Sequence, residues 1–254
     1  GYTPSVWGGD CDAQGNVTLT DGQTKTCTIT NNDNAPGLHL RKVVNNNNGG
    51  TATVDDFTLT ANGTGSNDIS GTSPVDSDAT LDADTFALSE SGPDGYTASD
   101  WVCVGGTQDG SNVTLGLGQE ATCTITNDDD APSLTLVKSV TNDNGGDAAA
   151  SEWTLSASGP TGFSGPGPSV SNGASFDAGT YDLSESGGPD GYTASDWVCV
   201  GGTQDDADTV SLALGQSATC TITNDDVAPV LTLRKVVVST NETRQASDWT
   251  LTAT

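Results

Sequence analysis

The chain repeats itself. Gly95-Tyr96-Thr97-Ala98-Ser99-Asp100-Trp101-Val102-Cys103 recurs unchanged from Gly191 to Cys199, an offset of 96 positions. A looser copy, Gly1-Tyr2-Thr3 with Trp7 and Cys11, lies 94 positions before Gly95. Thr26-Cys27-Thr28-Ile29-Thr30-Asn31 returns at Thr122 to Asn127 and again at Thr219 to Asn224. Ala-Pro follows each time, at Ala35-Pro36, Ala131-Pro132 and Ala228-Pro229, and then an apolar run opens at Leu38, Leu134 and Leu231. A fixed period of this kind specifies copies of one unit in tandem. The sequence divides into the C-terminal part of a preceding repeat (1–35), two complete repeats (36–131 and 132–228) and the N-terminal strands of a following repeat (229–254). The two ends do not sum to a whole unit, so the expected context is a window of a longer repetitive protein.

Within a repeat the apolar residues alternate with period two: Phe57, Leu59 and Ala61; Val113, Leu115 and Leu117; Trp153, Leu155 and Ala157. Gly- and Asp-rich turns separate the runs, and no helical period is present. Short alternating strands in a unit of about 96 residues predict an all-β fold, a small Ig-like β-sandwich repeated along a linear rod. The short linkers carry Pro132 and Pro229 and should be stiff. With 34 Asp and Glu against 7 Lys and Arg, the formal charge is −27. That excludes the basic footprint that nucleic acid and anionic membranes require. No apolar run is long enough to span a bilayer. The sequence holds one His, and no nucleophile–His–acid set or phosphate loop, so turnover catalysis is not expected.

Polar residues on the apolar face carry the chemistry. Successive side chains in a strand point to opposite faces. Leu38, Leu40 and Lys42 therefore share the core side, as do Leu134, Leu136 and Lys138, and Leu231, Leu233 and Lys235. Three of the chain's four lysines occupy this one position. Phe86, Leu88 and Glu90 repeat the pattern, matched by Tyr181, Leu183 and Glu185; Cys123, Ile125 and Asn127 are matched by Cys220, Ile222 and Asn224. Each complete repeat thus aims a Lys, a Glu and an Asn inward, where an unpaired charge is costly. One reading is a buried Lys–Glu ion pair with Asn as a hydrogen-bonding neighbour. The other is covalent. Burial lowers a Lys pKa and raises a Glu pKa, so that a neutral amine can attack an Asn carboxamide polarised by a protonated Glu. The product is an intramolecular Lys–Asn isopeptide bond, made once.

Tyr181-Asp182-Leu183-Ser184-Glu185 through Pro189-Asp190-Gly191-Tyr192 resembles the tyrosine-x-leucine-x-glutamate … proline-x-glycine-tyrosine box of Cna B-type domains. These SpaA-like, prealbumin-like domains occur in Gram-positive pilins and surface adhesins. The Leu-x-Leu-x-Lys opening and Thr-Ile-Thr-Asn ending fit the same pattern. The resemblance implies a sandwich whose first and last strands are adjacent. It implies Lys42–Asn127 and Lys138–Asn224 crosslinks, with Glu90 and Glu185 as the acid/base. Lys235 and Asn31 would take partners outside the sequence. The chain departs from the family in having Phe86 at the Tyr position, a cysteine pair in each repeat, and extreme acidity.

Six cysteines fall two per repeat: Cys11 and Cys27, Cys103 and Cys123, Cys199 and Cys220. CxxC spacing is absent, so disulfides within each repeat are expected, in an exported, oxidising setting. Asp128-Asp129-Asp130 and Asp225-Asp226 offer oxygen ligands for weak junction Ca²⁺ sites, without EF-hand or Gly-Gly-x-Gly-x-Asp spacing; a solvated acidic surface is the simpler account. No other cofactor is implied. Asn16, Asn62, Asn112 and Asn241 head glycosylation sequons. Trp101 and Trp197 suggest a glycan platform, but Trp101 shares a face with Cys103 and is expected in the core. The reading that fits is a structural repeat of an extracellular stalk, fibre or adhesin shaft at a bacterial cell surface. Its partners are further copies of the repeat, with room for a cell-surface or matrix ligand. An array of glycan- or protein-binding modules acting through loops, and a calcium-rigidified spacer, are the alternatives.

Overall fold

A computed structural model describes residues 1–65, 67–238 and 245–253. The Asn241 sequon and its Thr243 lie outside the described residues. The N-terminal segment holds two small antiparallel ladders, β1 (Tyr2–Pro4) with β4 (Asn31–Asp33) and β2 (Gly8–Gly9) with β3 (Cys27–Thr28).

The first complete repeat is built of β5 (Gly37–Asn45), β6 (Thr58–Asn62), β7 (Asp68–Gly71), β8 (Val75–Asp76) and β9 (Asp84–Ser91), followed by β10 (Tyr96–Ala98), β11 (Val102–Gly105), β12 (Thr107–Asp109), β13 (Asn112–Leu115) and β14 (Glu120–Asp129). One sheet has the order β10-β14-β5-β8, with β11 also on β14; the other has the order β12-β13-β9-β6-β7. The second repeat follows the same plan. Its strands are β15 (Ser133–Thr141), β16 (Trp153–Ser158), β17 (Phe163–Pro166), β18 (Ser169–Ser171) and β19 (Gly179–Gly187), then β20 (Tyr192–Ala194), β21 (Val198–Gly201), β22 (Thr203–Gln204), β23 (Thr209–Leu212) and β24 (Ser217–Asp226). Its sheets run β18-β15-β24-β20, with β21 on β24, and β17-β16-β19-β23-β22. These are the tandem β-sandwiches expected from the period-two pattern. Among the described residues helix is confined to three-residue 3₁₀ turns, and no helix is long and apolar enough to cross a membrane.

The inward residues of both sheets close one core per repeat. Leu38, Leu40, Cys123 and Ile125 of one sheet meet Leu59, Phe86, Leu88 and Val113 of the other, all buried. Leu134, Leu136, Leu155, Tyr181, Leu183 and Ile222 do the same in the second repeat. Trp101 and Trp197 are buried within these cores and present no platform to a sugar.

The first and last strands of each repeat are neighbours and run parallel. β5 pairs with β14 from Gly37↔Glu120 to Asn45↔Asp128, and β15 with β24 from Ser133↔Ser217 to Thr141↔Asp225. A parallel pair needs a long crossover, and here the remaining strands of the sandwich supply it.

The C-terminal segment is described in part. The sequence predicts strands within 229–254, but the described residues there form none; only a 3₁₀ turn, Ala246–Asp248, is present. Val230, Leu231 and Val238 are exposed. The reason lies in the parallel pairing. In a complete repeat the corresponding strand is laddered to a last strand about 80 residues further on.

Candidate functional site

The site is one crossing point between the two sheets. Lys42 comes from β5, Asn127 from β14 and Glu90 from β9. The alternation of β5 makes Leu38, Leu40 and Lys42 its buried positions, and Asn127 follows Cys123 and Ile125 on the buried face of β14. Lys42 Nζ donates to Glu90 Oε2 at 2.6 Å and to Asn127 Oδ1. The Lys42 side chain has 0% of its surface exposed, against 12% for Glu90. Its ammonium lies 4.2 Å from the centroid of the Phe57 ring. The second repeat repeats the arrangement: Lys138 Nζ donates to Glu185 Oε2 at 2.6 Å and lies 4.8 Å from the Trp153 ring. Asn224 is buried beside them, and its Oδ1 has no hydrogen-bond partner among the described residues. A buried carboxamide oxygen without a donor costs free energy unless a proton is brought to it.

Burial pushes the Lys42 and Lys138 amines below the ordinary lysine range, and the Glu90 and Glu185 carboxylates only partly offset it. Each triad therefore combines an amine that burial holds below the ordinary lysine range, a carboxyl group within hydrogen-bond distance of that amine, and, in the first repeat, a carboxamide within reach of it. That set can do acyl transfer. Lys235 and Asn31, the outlying members of the pattern, are both exposed. Lys235 nevertheless takes the same position over an aromatic ring, 4.8 Å from Trp249.

Three disulfides are present, Cys11–Cys27, Cys103–Cys123 and Cys199–Cys220, and among the described residues no cysteine is free. Cys103 lies directly opposite Cys123 in the antiparallel β11–β14 ladder, and Cys199 opposite Cys220 in β21–β24. Each of these two bridges therefore fastens an edge strand to the strand that carries the site Asn.

The acidic junction residues divide into two kinds. Asp129 and Asp226 are buried, while Asp128 and Asp225 are exposed and Asp130 is half-buried. Asp129 Oδ1 accepts the backbone N–H groups of Asn47 and Asn48, and its Oδ2 accepts those of Asn48 and Gly50. Asp226 accepts from Asp143, Asn144 and Gly146 in the same way. Burial alone would raise the Asp226 carboxyl, but the N–H groups of Gly146, Asn144 and Asp143 outweigh it and hold the group below the ordinary range. Tyr96 and Tyr192 close the same turns, donating from their hydroxyls to Asn46 Oδ1 and Asn142 Oδ1. Carboxylate oxygens of Asp143, Asp225 and Asp226 come within 4.8 Å of one another. The oxygens of Asp226 are already engaged by backbone donors, which is a structural use for a residue that sequence reasoning offered to Ca²⁺. The signal was available: Asp129 continues the inward series Cys123, Ile125, Asn127.

A model of the prealbumin-like fold domain matches residues 33–125, 129–222 and 226–254. The chain belongs to this SpaA-type prealbumin-like family. No curated relative matches the sequence. Solved structures similar to these prealbumin-like repeats include the Bacillus anthracis TIE protein, with 12% identity over 80% of this chain and 37% of that one, at a TM-score of 0.47. The T-13 major pilin of Streptococcus pyogenes is 12% identical over 76% of this chain and 98% of its own, at 0.36. A C-terminal fragment of the pilus adhesin SpaC from Lactobacillus rhamnosus GG is 17% identical over 77% and 99%, at 0.40.

Proposed function

We propose that this chain is a segment of an extracellular stalk, fibre or adhesin shaft at a bacterial surface, in which each complete repeat is closed by a self-formed Lys–Asn isopeptide bond. The observation that carries the reading is the enclosed Lys42–Glu90–Asn127 triad between the first and last strands, with its Lys–Glu half repeated at Lys138–Glu185 beside the buried Asn224. The family, the disulfides and the succession of repeats support the exported, structural role. The complete repeats extend over 36–131 and 132–228, with 229–254 opening another.

In the proposed reaction the amine, in its neutral form, attacks Cγ of the Asn. Glu90 or Glu185, protonated, donates to Oδ1 and then relays a proton from the amine to the leaving nitrogen. The Nζ–Cγ bond forms, the Cγ–Nδ2 bond breaks and ammonia departs. Nothing else is consumed, and the group transfer happens once per repeat. The unpartnered Asn224 Oδ1 supports this assignment, since the reaction brings a donor to that oxygen.

Intact mass of the full chain, with disulfides reduced, tests it. The expected mass is lower than the sequence mass by two ammonia molecules. Glu90→Ala should restore one of them, and Glu185→Ala the other. A folded wild-type protein at full sequence mass would leave the buried ion pair as the whole content of the site. The binding-module alternative would instead be favoured by glycan capture on an array. Burial of Trp101 and Trp197 counts against it.

A further inference from the structure

An isopeptide bond inside each repeat says nothing about the angle between repeats. The residues at the repeat junction do. Three residues separate β14 from β15, and the first of them, Asp130, is bonded on both sides. Its N–H donates to Gly95 O of the first repeat at 2.9 Å, and its C=O accepts from the Gly215 N–H of the second at 2.7 Å. Thr97 Oγ1 donates to its carboxylate at 2.6 Å. The half of this arrangement that faces the preceding unit recurs along the chain. Asn34 N–H donates to Gly1 O at 2.8 Å with Thr3 Oγ1 on its side chain, and Val227 N–H donates to Gly191 O at 2.8 Å.

A second bridge lies across the same junction. The Asn46–Gly50 turn, gathered around Asp129, places Asn48 against the second repeat. Ala178 N–H donates to Asn48 O at 2.8 Å, and Asn48 Nδ2 donates to Phe176 O at 3.1 Å. Asn48 is only 7% exposed. In the second repeat the equivalent Asn144 turns its amide inward to Asp226 O, at 3.0 Å.

We propose that the Asn46–Gly50 turn and Asp130 form a specific docking surface for a following copy of this repeat, and that the occupied surface sets a fixed orientation between neighbours. The occupant is the second repeat, seated through Ala178, Leu214 and Gly215. The corresponding turn around Asp226 is the same surface, presented to another copy. The inference deepens the stalk reading without depending on the crosslink, because no residue of the triads takes part.

Two glycines make the joint testable with matched controls. Gly95 has φ +83°, and a Cβ there would lie 2.6 Å from Leu214 Cβ. Gly49 has φ +89°, and a Cβ there would lie 2.9 Å from the Ala178 nitrogen. Their counterparts Gly191 (φ +92°) and Gly145 (φ +98°) have nothing within 4 Å of that position. Alanine at any of the four meets a comparable left-handed backbone penalty. Only at Gly95 and Gly49 does it also push the repeats apart.

The test uses the full chain, with amide exchange followed at Ala178 and Gly215 and residual dipolar couplings measured across both repeats. The wild type should show slow exchange at both amides and one alignment tensor for the two repeats. Gly95→Ala and Gly49→Ala should accelerate the two junction amides at least tenfold and split the tensor, while Gly191→Ala and Gly145→Ala leave both as in the wild type. Asn48→Ala, which strains no backbone, should also accelerate Ala178. Separate tensors in the wild type, or equal effects of junction and control alanines, would overturn the proposal. The mass test of the crosslinks can succeed or fail independently of either outcome.

Discussion

At the scale of single residues, the legible part of the site was the part that broke a pattern. Lys42, Glu90 and Asn127 could be read from the sequence because each occupies an apolar register position and because Lys and Glu are scarce in this chain. The inward register of Asp129 and Asp226 was legible, but their role was not. In a chain with 29 Asp one more inward carboxylate does not stand out, and its partners are backbone N–H groups that leave no trace in residue type. Removing that carboxylate leaves three N–H donors without their acceptor. Asp129→Ala should therefore lower the stability of the first repeat by about 3 kcal/mol, measured by urea denaturation. The same bonds set a pH dependence at Asp226. Its folded pKa is depressed below 3.8, so the stability it contributes is complete above that value and is lost as pH falls through the lower folded value. An NMR titration should give a common midpoint below 3.8 for the Asn144 and Gly146 amides. A midpoint at or above it would show that the turn does not depend on the ionised carboxylate.

At the scale of elements, the strands were legible from their alternation and their turns, and the neighbouring first and last strands from the family resemblance. Two things were not. The described residues after Leu231 form no strand, and in a complete repeat the matching strand pairs with a distant last strand, a partner that a local period cannot report. The role of β11 as an edge fastened by a disulfide was also hidden, since even cysteine counts give pairs but no register. Cys103 and Cys123 are separated by 20 residues, and among the described residues β11 pairs in the sheet only with β14. Replacing both with Ala should cost about 2–4 kcal/mol in the chain-entropy picture, read as a fall in the denaturation midpoint. Because β11 is peripheral to the Lys42–Glu90–Asn127 crossing, the ammonia loss in the mass should persist in that variant. A variant at full sequence mass would mean that the bridge must form before the triad can react.

At the scale of the whole molecule, the charge of −27 is spread over repeats whose cores carry almost no net charge, so it acts between molecules more than within one. It discourages lateral association at low salt. The parallel β5–β14 pair has a further consequence when the chain is pulled. Tension entering at Gly37 and leaving at Asp129 meets the two strands lengthwise, so the ladder is sheared all at once and is not unzipped bond by bond. The disulfide loop lies inside the span that the proposed isopeptide bond would close, like a small loop within a larger one in a rope. A closed Lys42–Asn127 bond withholds an 85-residue span, about 290 Å of contour, and each rupture step from that repeat should vanish. With that bond absent, the Cys103–Cys123 loop still withholds 20 residues, so the step should appear shortened by about 70 Å and recover its full length in reductant. One single-molecule trace, taken before and after reduction, would therefore report which of its two knots each repeat has tied.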